Sequence, residues 1–216
     1  MDESLRSRAR EARAAITSGV LRGAALLEVI EAIPFHERDA WLDEVLGIAE
    51  LPVDRADLPP GAVPYLPSGV EEILALVAEA PVGPDDELVD LGSGLGRAAI
   101  LVHLLSGART CGVEIQDHLV RDAQERCAQL ALEAVTFVHG NAAALALDGS
   151  IFYLYAPFNG AMLASVVERL AAVARRRAIV VAAVGLELDA PWLRARPTRC
   201  ASLTLYDGGT RAQTLR

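Results

Sequence analysis

The run Leu88-Val89-Asp90-Leu91-Gly92-Ser93-Gly94-Leu95-Gly96-Arg97 constrains this chain more than any other segment. A short apolar stretch ends in an acid, three glycines follow at alternate positions, and helix-forming residues resume at once. That order predicts a buried strand, a tight turn and a helix, with glycine allowing backbone to pass close to a ligand. In open α/β sheets, turns of this kind lie at the carboxyl ends of strands, where ligands bind.

The surrounding pattern agrees. Strands are expected at Glu87–Leu91, Thr110–Glu114, Val135–His139, Ile151–Tyr155 and Ala178–Val184. Helices are expected at Leu95–Ser106, His118–Leu132 and Gly160–Arg175. Such alternation predicts a three-layer α/β sandwich, its mostly parallel sheet covered on both faces. Ala201–Tyr206, Asp207-Gly208-Gly209 and Thr210–Leu215 read as a C-terminal hairpin that adds an antiparallel strand.

Ahead of the sheet, Leu5, Ala9, Ala12 and Ile16 recur at helical spacing, as do Leu26, Leu27, Ile30 and Ile33, and then Trp41, Leu42, Val45 and Leu46. These segments predict an N-terminal helical cap. Pro52, Pro59, Pro60, Pro64 and Pro67 mark an extended linker after it. Ser68-Gly69-Val70-Glu71 reads as a capping box, starting a helix whose apolar face is Val70, Ile73, Leu74 and Val77. The expected division is residues 1–67, cap and linker, and residues 68–216, the sheet domain.

Composition narrows the function. With 52% hydrophobic residues in 216, a substantial core can form. A formal charge of -9 disfavours a nucleic-acid partner, because neutralising phosphate needs a basic face. All 20 basic residues are arginine, which suits a GC-rich bacterial genome. Cys111, Cys127 and Cys200 are scattered and odd in number, as expected of small buried side chains in a reducing cytosol rather than a disulfide or zinc framework. No stretch approaches a membrane span, and no signal-peptide core follows the charged start, so a soluble cytoplasmic protein with no membrane partner is expected.

Three ligand classes use glycine turns. A nucleoside-triphosphate loop needs a lysine, and the chain has none. A dinucleotide fingerprint wants a third glycine where Arg97 stands, which disfavours an NAD-dependent oxidoreductase. The remaining pattern, acid-x-Gly-x-Gly-x-Gly, resembles motif I of class I, seven-strand S-adenosylmethionine-dependent methyltransferases. Glu114 adds to this, ending the next expected strand 24 residues after Asp90, where an acid can accept both ribose hydroxyls.

The resemblance covers about residues 68–216 and implies a seven-stranded sheet with S-adenosyl-L-methionine as cofactor. It implies that Asp90 serves the methionine ammonium, that Gly92, Ser93, Gly94 and Gly96 form the backbone cradle, and that Ile115 or Gln116 lies near adenine. Gly140-Asn141-Ala142 is similar to the family's adenine-edge motif, which would put Asn141 and the Ala142 amide on the base. Ile151–Phe158 occupies the place of motif IV, beside the transferred methyl.

Relatives acting on amides or nucleobases often carry Asn/Asp-Pro-Pro-Tyr/Phe there. This chain reads Tyr155-Ala156-Pro157-Phe158, losing the amide but keeping a proline and the aromatic. Tyr155 and Phe158 are therefore the candidate catalytic pair, an aromatic wall that could hold an amine. Pro64-Tyr65-Leu66-Pro67-Ser68 is similar to the stretch before the domain in seven-strand lysine methyltransferases, which implies Tyr65 and Ser68 as donor contacts. His118 and His139 fall near the expected pocket, where a base could sit. The expectation is methyl transfer to an amine on a protein or a small molecule, with no nucleic acid involved. The alternative is a non-catalytic donor-binding module whose cap contacts a partner.

Overall fold

The computed structural model describes residues 1–209. The chain opens with helices α1 (Glu3–Thr17), α2 (Gly23–Glu31) and α3 (Arg38–Leu46), with a 3-10 turn at Phe35–Glu37 before the last. The Asp2 carboxylate accepts the Leu5 N–H at 2.8 Å and starts α1. One face of α1 buries Ala9, Ala12 and Ile16, and the helix packs on α3. A proline-rich segment leads to α4 (Val70–Glu79), and strands then alternate with helices. They are β1 (Glu87–Leu91), α5 (Arg97–Ser106), β2 (Arg109–Glu114), α6 (Asp117–Gln129), β3 (Val135–His139), β4 (Ile151–Tyr155), α7 (Gly160–Ala174), β5 (Ile179–Val184), β6 (Leu193–Pro197) and β7 (Leu203–Gly208).

The sheet runs β3-β2-β1-β4-β5-β7-β6. β7 is antiparallel to both its neighbours, and the other pairs are parallel. Strand order reverses where β1 lies between β2 and β4, which opens a crevice at their carboxyl ends. On one face, α4, α5 and α6 share a continuous core with α1, α2 and α3. The other face is covered by α7 and by residues 142–147 and 186–193.

Three sequence expectations change. Asp207 and Gly208 are not a turn but extend β7, whose hairpin partner is the preceding β6. The expected second strand, Thr210–Leu215, lies outside the described residues. β6 escaped the pattern because Leu193-Arg194-Ala195-Arg196-Pro197 carries the charge and proline of a protected sheet edge. The α4 cap also differs: Gly69, not Ser68, is the N-cap residue, and the Val70 N–H bonds Asp39 Oδ1 of α3 at 2.9 Å. The capping oxygen thus comes from another helix. Finally, of the unpaired cysteines only Cys127 is buried; Cys111 and Cys200 are half-buried. None of the described helices is long and apolar enough to cross a membrane.

Beyond α6, the Leu132 N–H bonds Cys127 O at 3.0 Å while Ala131 takes a φ of 55°. Left-handed backbone costs a residue with a β-carbon roughly 1 kcal/mol, and glycine avoids the cost. Ala131→Gly is therefore expected to raise the unfolding free energy by about 0.5–1 kcal/mol. A urea titration checks this, and an unchanged or earlier midpoint refutes it.

Candidate active site

From β1 the chain turns through Gly92, Gly94 and Gly96 at φ of 86°, 51° and 82°. Conformation alone favours glycine at all three positions. Space adds a second reason. A β-carbon on Gly94 would stand 2.4 Å from the Tyr65 ring, and one on Gly92 would stand 2.4 Å from Pro157 Cβ. Gly96 differs, because it precedes α5 as its N-cap and faces Phe137 inside the helix–sheet packing. The N–H groups of Gly92 and Ser93 bond Val113 O at 2.8 and 3.2 Å, pinning the turn to β2.

Glu114 ends β2 beneath that turn. Its Oε2 accepts the Gly94 N–H at 2.9 Å and its Oε1 accepts the Gln116 N–H at 2.9 Å. Each oxygen keeps a second lone pair, so the carboxylate can accept two more donors. Asp90 is fully buried nearby. Burial first, and the Glu114 charge second, push its carboxyl up to about 7.

Tyr65, Gly92, Glu114, Ile115, Gln116, Asn141, Ala142, Tyr155 and Phe158 line one cleft at the crevice. The structure sets Ser68, Asp90, Ser93, Gly94 and Gly96 behind its wall. Ser68 is buried beside Tyr153, Asp90 and Ser93 are buried, Gly94 lies under the Tyr65 ring, and Gly96 packs on Phe137. Asn141 Oδ1 accepts the Ala143 N–H at 2.9 Å, leaving the amide nitrogen to donate. Tyr155 presents its ring to the cleft, while Gly69 and Glu72 influence its hydroxyl, which burial pushes up.

The segment that carries Tyr65 crosses this cleft as a strap, and its anchors had no signal in the sequence. Asp54 Oδ1 accepts both the Tyr65 N–H at 2.9 Å and Gln116 Nε2–H at 2.7 Å, and Gln116 Oε1 accepts the Arg55 N–H at 2.8 Å. The Gln116 amide is thus committed to the strap rather than left for a base. On the other side, the Val63 N–H bonds Pro157 O at 3.0 Å and the Asn159 N–H bonds Gly61 O at 2.9 Å. Ala62 pairs with Phe158 in an antiparallel bridge. His118 and His139 do not line the cleft; each places Nε2 3.1 Å from a carbonyl, of Val53 and Ile115 respectively. Between strap and sheet the free volume is about 40 Å³.

Strand order, the antiparallel end and the glycine turn after β1 together make the fold of class I S-adenosylmethionine-dependent methyltransferases. Among solved structures, the chain is similar to an RNA methyltransferase from Salinibacter ruber in complex with S-adenosyl-L-homocysteine. The TM-score is 0.53 at 22% identity, over 69% of this chain and 97% of that one. It is also similar to the proposed methyltransferase YhhF from Escherichia coli, with TM-score 0.54 and 18% identity over 71% and 91% of the two chains. No protein-family model and no curated protein matches the sequence.

Proposed function

We propose that the protein transfers a methyl group from S-adenosylmethionine to an amine, either a protein lysine or a small metabolite. In this reading, residues 68–216 are the methyltransferase domain of a cytoplasmic protein and residues 1–67 its cap. The lining of the cleft carries the acceptor class. Tyr65, Tyr155 and Phe158 contribute aromatic surface, and Glu114 is the one charged residue among the described residues lining it. Aromatic faces attract cations by roughly 0.5–2 kcal/mol each, and no arginine is among the described residues lining the cleft.

The wall also suits the donor. Glu114 has lone pairs for two ribose hydroxyls, Asn141 has an amide nitrogen for the base edge, and Gly92 permits close backbone approach. When bound, S-adenosylmethionine supplies an electrophilic methyl group on a positively charged sulfur. Tyr155 and Phe158 then serve to hold the nucleophile beside it, since alignment alone accounts for much of the barrier lowering. The nitrogen attacks as the neutral amine, its proton already lost to solvent, and the rings stabilise the positive charge that passes to it as the carbon–sulfur bond breaks.

Ala156 supports the amine reading. Its φ of 44° lies where proline, fixed near −65°, cannot go. The Asn/Asp-Pro-Pro-Tyr/Phe stretch associated with amide and nucleobase acceptors does not fit this turn.

Calorimetry is expected to show binding of S-adenosylmethionine and S-adenosylhomocysteine but not NAD. Incubated with a fractionated cell lysate, labelled methyl is expected in the lysine residues of proteins or in small amines. Because the chain has no lysine, label at lysine cannot come from the enzyme itself. No binding of either sulfur ligand at millimolar concentration refutes the donor. Label confined to nucleic acid overturns the acceptor.

A further inference from the structure

Arg97 directly follows the last glycine of the turn, and its side chain is 4% exposed. It points away from the cleft into the helical layer. There Nη2 donates to Asp39 Oδ1 at 2.7 Å and to the Asp39 carbonyl at 3.0 Å, while Nη1 lies 3.7 Å from Asp43 Oδ1. Both acids belong to α3. A guanidinium so enclosed is costly to bury unless its partners are held in place, and here one helix supplies both.

The same Asp39 Oδ1 caps α4 through the Val70 N–H at 2.9 Å. One carboxylate therefore ties together α3, the start of α4 and the start of α5. The Tyr65 hydroxyl lies in the field of this cluster. Burial pushes the phenol up to about 12, Arg97 opposes that, and Asp43 adds to it. The Cδ2–Cε2 edge of the Tyr65 ring rests on Gly94, within the turn that Arg97 terminates.

We propose that Arg97 is a positioning residue for the donor site: held by Asp39 and Asp43, it fixes the glycine turn and the Tyr65 ring in the arrangement that receives S-adenosylmethionine. This rests on the methyl-donor reading above. It assigns the N-terminal helices a part in donor affinity, although none of them lines the cleft. Arg97 touches neither donor nor acceptor and acts through the turn and through Tyr65.

A double-mutant cycle with S-adenosylhomocysteine, read by calorimetry at a temperature where urea titration shows every variant folded, tests this. Arg97→Met is expected to weaken binding at least tenfold, and Arg97→Lys, which keeps one charged donor for Asp39, to recover part of the loss. Tyr65→Phe is expected to weaken binding in the wild-type background and to add little in Arg97→Met. A purely structural arginine lowers stability in Arg97→Met yet leaves affinity within twofold, or gives effects that add with Tyr65→Phe; either result overturns the proposal. Should Arg97→Met not fold, Asp43→Asn decides, because it leaves the Asp39 contacts intact. A threefold or greater loss supports the proposal, and wild-type affinity overturns it. Failure of the donor reading looks different: the wild-type protein itself then shows no binding, and the proposal falls with it.

Discussion

Glu114→Ala is expected to weaken S-adenosylhomocysteine binding at least a hundredfold, equivalent to about 3 kcal/mol. The carboxylate has two duties. It accepts the N–H groups of Gly94 and Gln116, and it offers the remaining lone pairs toward the cleft. Truncation leaves both donors without their acceptor, at about 1–3 kcal/mol for each that stays buried. It also loosens Gln116, whose amide holds Asp54 of the strap. Glu114→Gln keeps the shape and one acceptor oxygen, so a smaller loss of about tenfold is expected, consistent with the extra strength of hydrogen bonds to a charged group. Calorimetry on folded variants measures both. A folded Glu114→Ala protein that binds within threefold of wild type removes Glu114 from the site.

The second large effect is on pH dependence and centres on Asp90. Its carboxyl is raised from an ordinary 3.8 to about 7 by burial and by Glu114, a displacement worth ~4 kcal/mol at full ionisation. An acid raised in the folded state contributes stability that is fully present below 3.8 and lost as pH rises through about 7. Wild type minus Asp90→Asn, compared by urea titration between pH 4 and pH 8, is expected to show that loss. Tyr65, Cys111 and Tyr153 also lie within the field of Asp90, but burial raises all three above their ordinary values, outside this window. A cation beside Asp90 favours its ionised form. S-adenosylhomocysteine, whose amino-acid ammonium Asp90 is expected to serve, is therefore expected to gain affinity as pH rises from 5.5 to 8 in wild type but not in Asp90→Asn. A wild-type affinity independent of pH across that range, or a stability difference independent of pH, contradicts the assignment.

The sheet was legible because β1 and β4 are short apolar runs and Gly92, Gly94 and Gly96 mark a turn that backbone geometry requires. Glu114 was legible because it falls at the end of a strand in phase with Asp90. The strap was not. Asp54 and Gln116 are 62 residues apart, and neither type of residue announces a partner at that distance. The α4 cap misled for a related reason: Ser68 sits in the right local pattern, yet Asp39 of α3 supplies the oxygen. Local chemistry predicts local bonds, and tertiary packing can offer a better acceptor. Arg97 first stood out as a missing glycine. Its burial and its two acids were invisible until α3 was placed against α5.

The strap also bears on turnover. Clefts that enclose a ligand of nucleoside size typically hold ~300–1,000 Å³, against about 40 Å³ free here. In the methyl-donor reading, Tyr65 has to leave Gly94 for S-adenosylmethionine to enter, and again for its demethylated product to depart. Gate motions of this kind take microseconds to milliseconds and set the pace of many enzymes. With exchange through the gate as the slow event, acceptors of very different nucleophilicity would turn over at similar maximal rates. Loosening Asp54 from Gln116 would then quicken the cycle while weakening the hold on the donor.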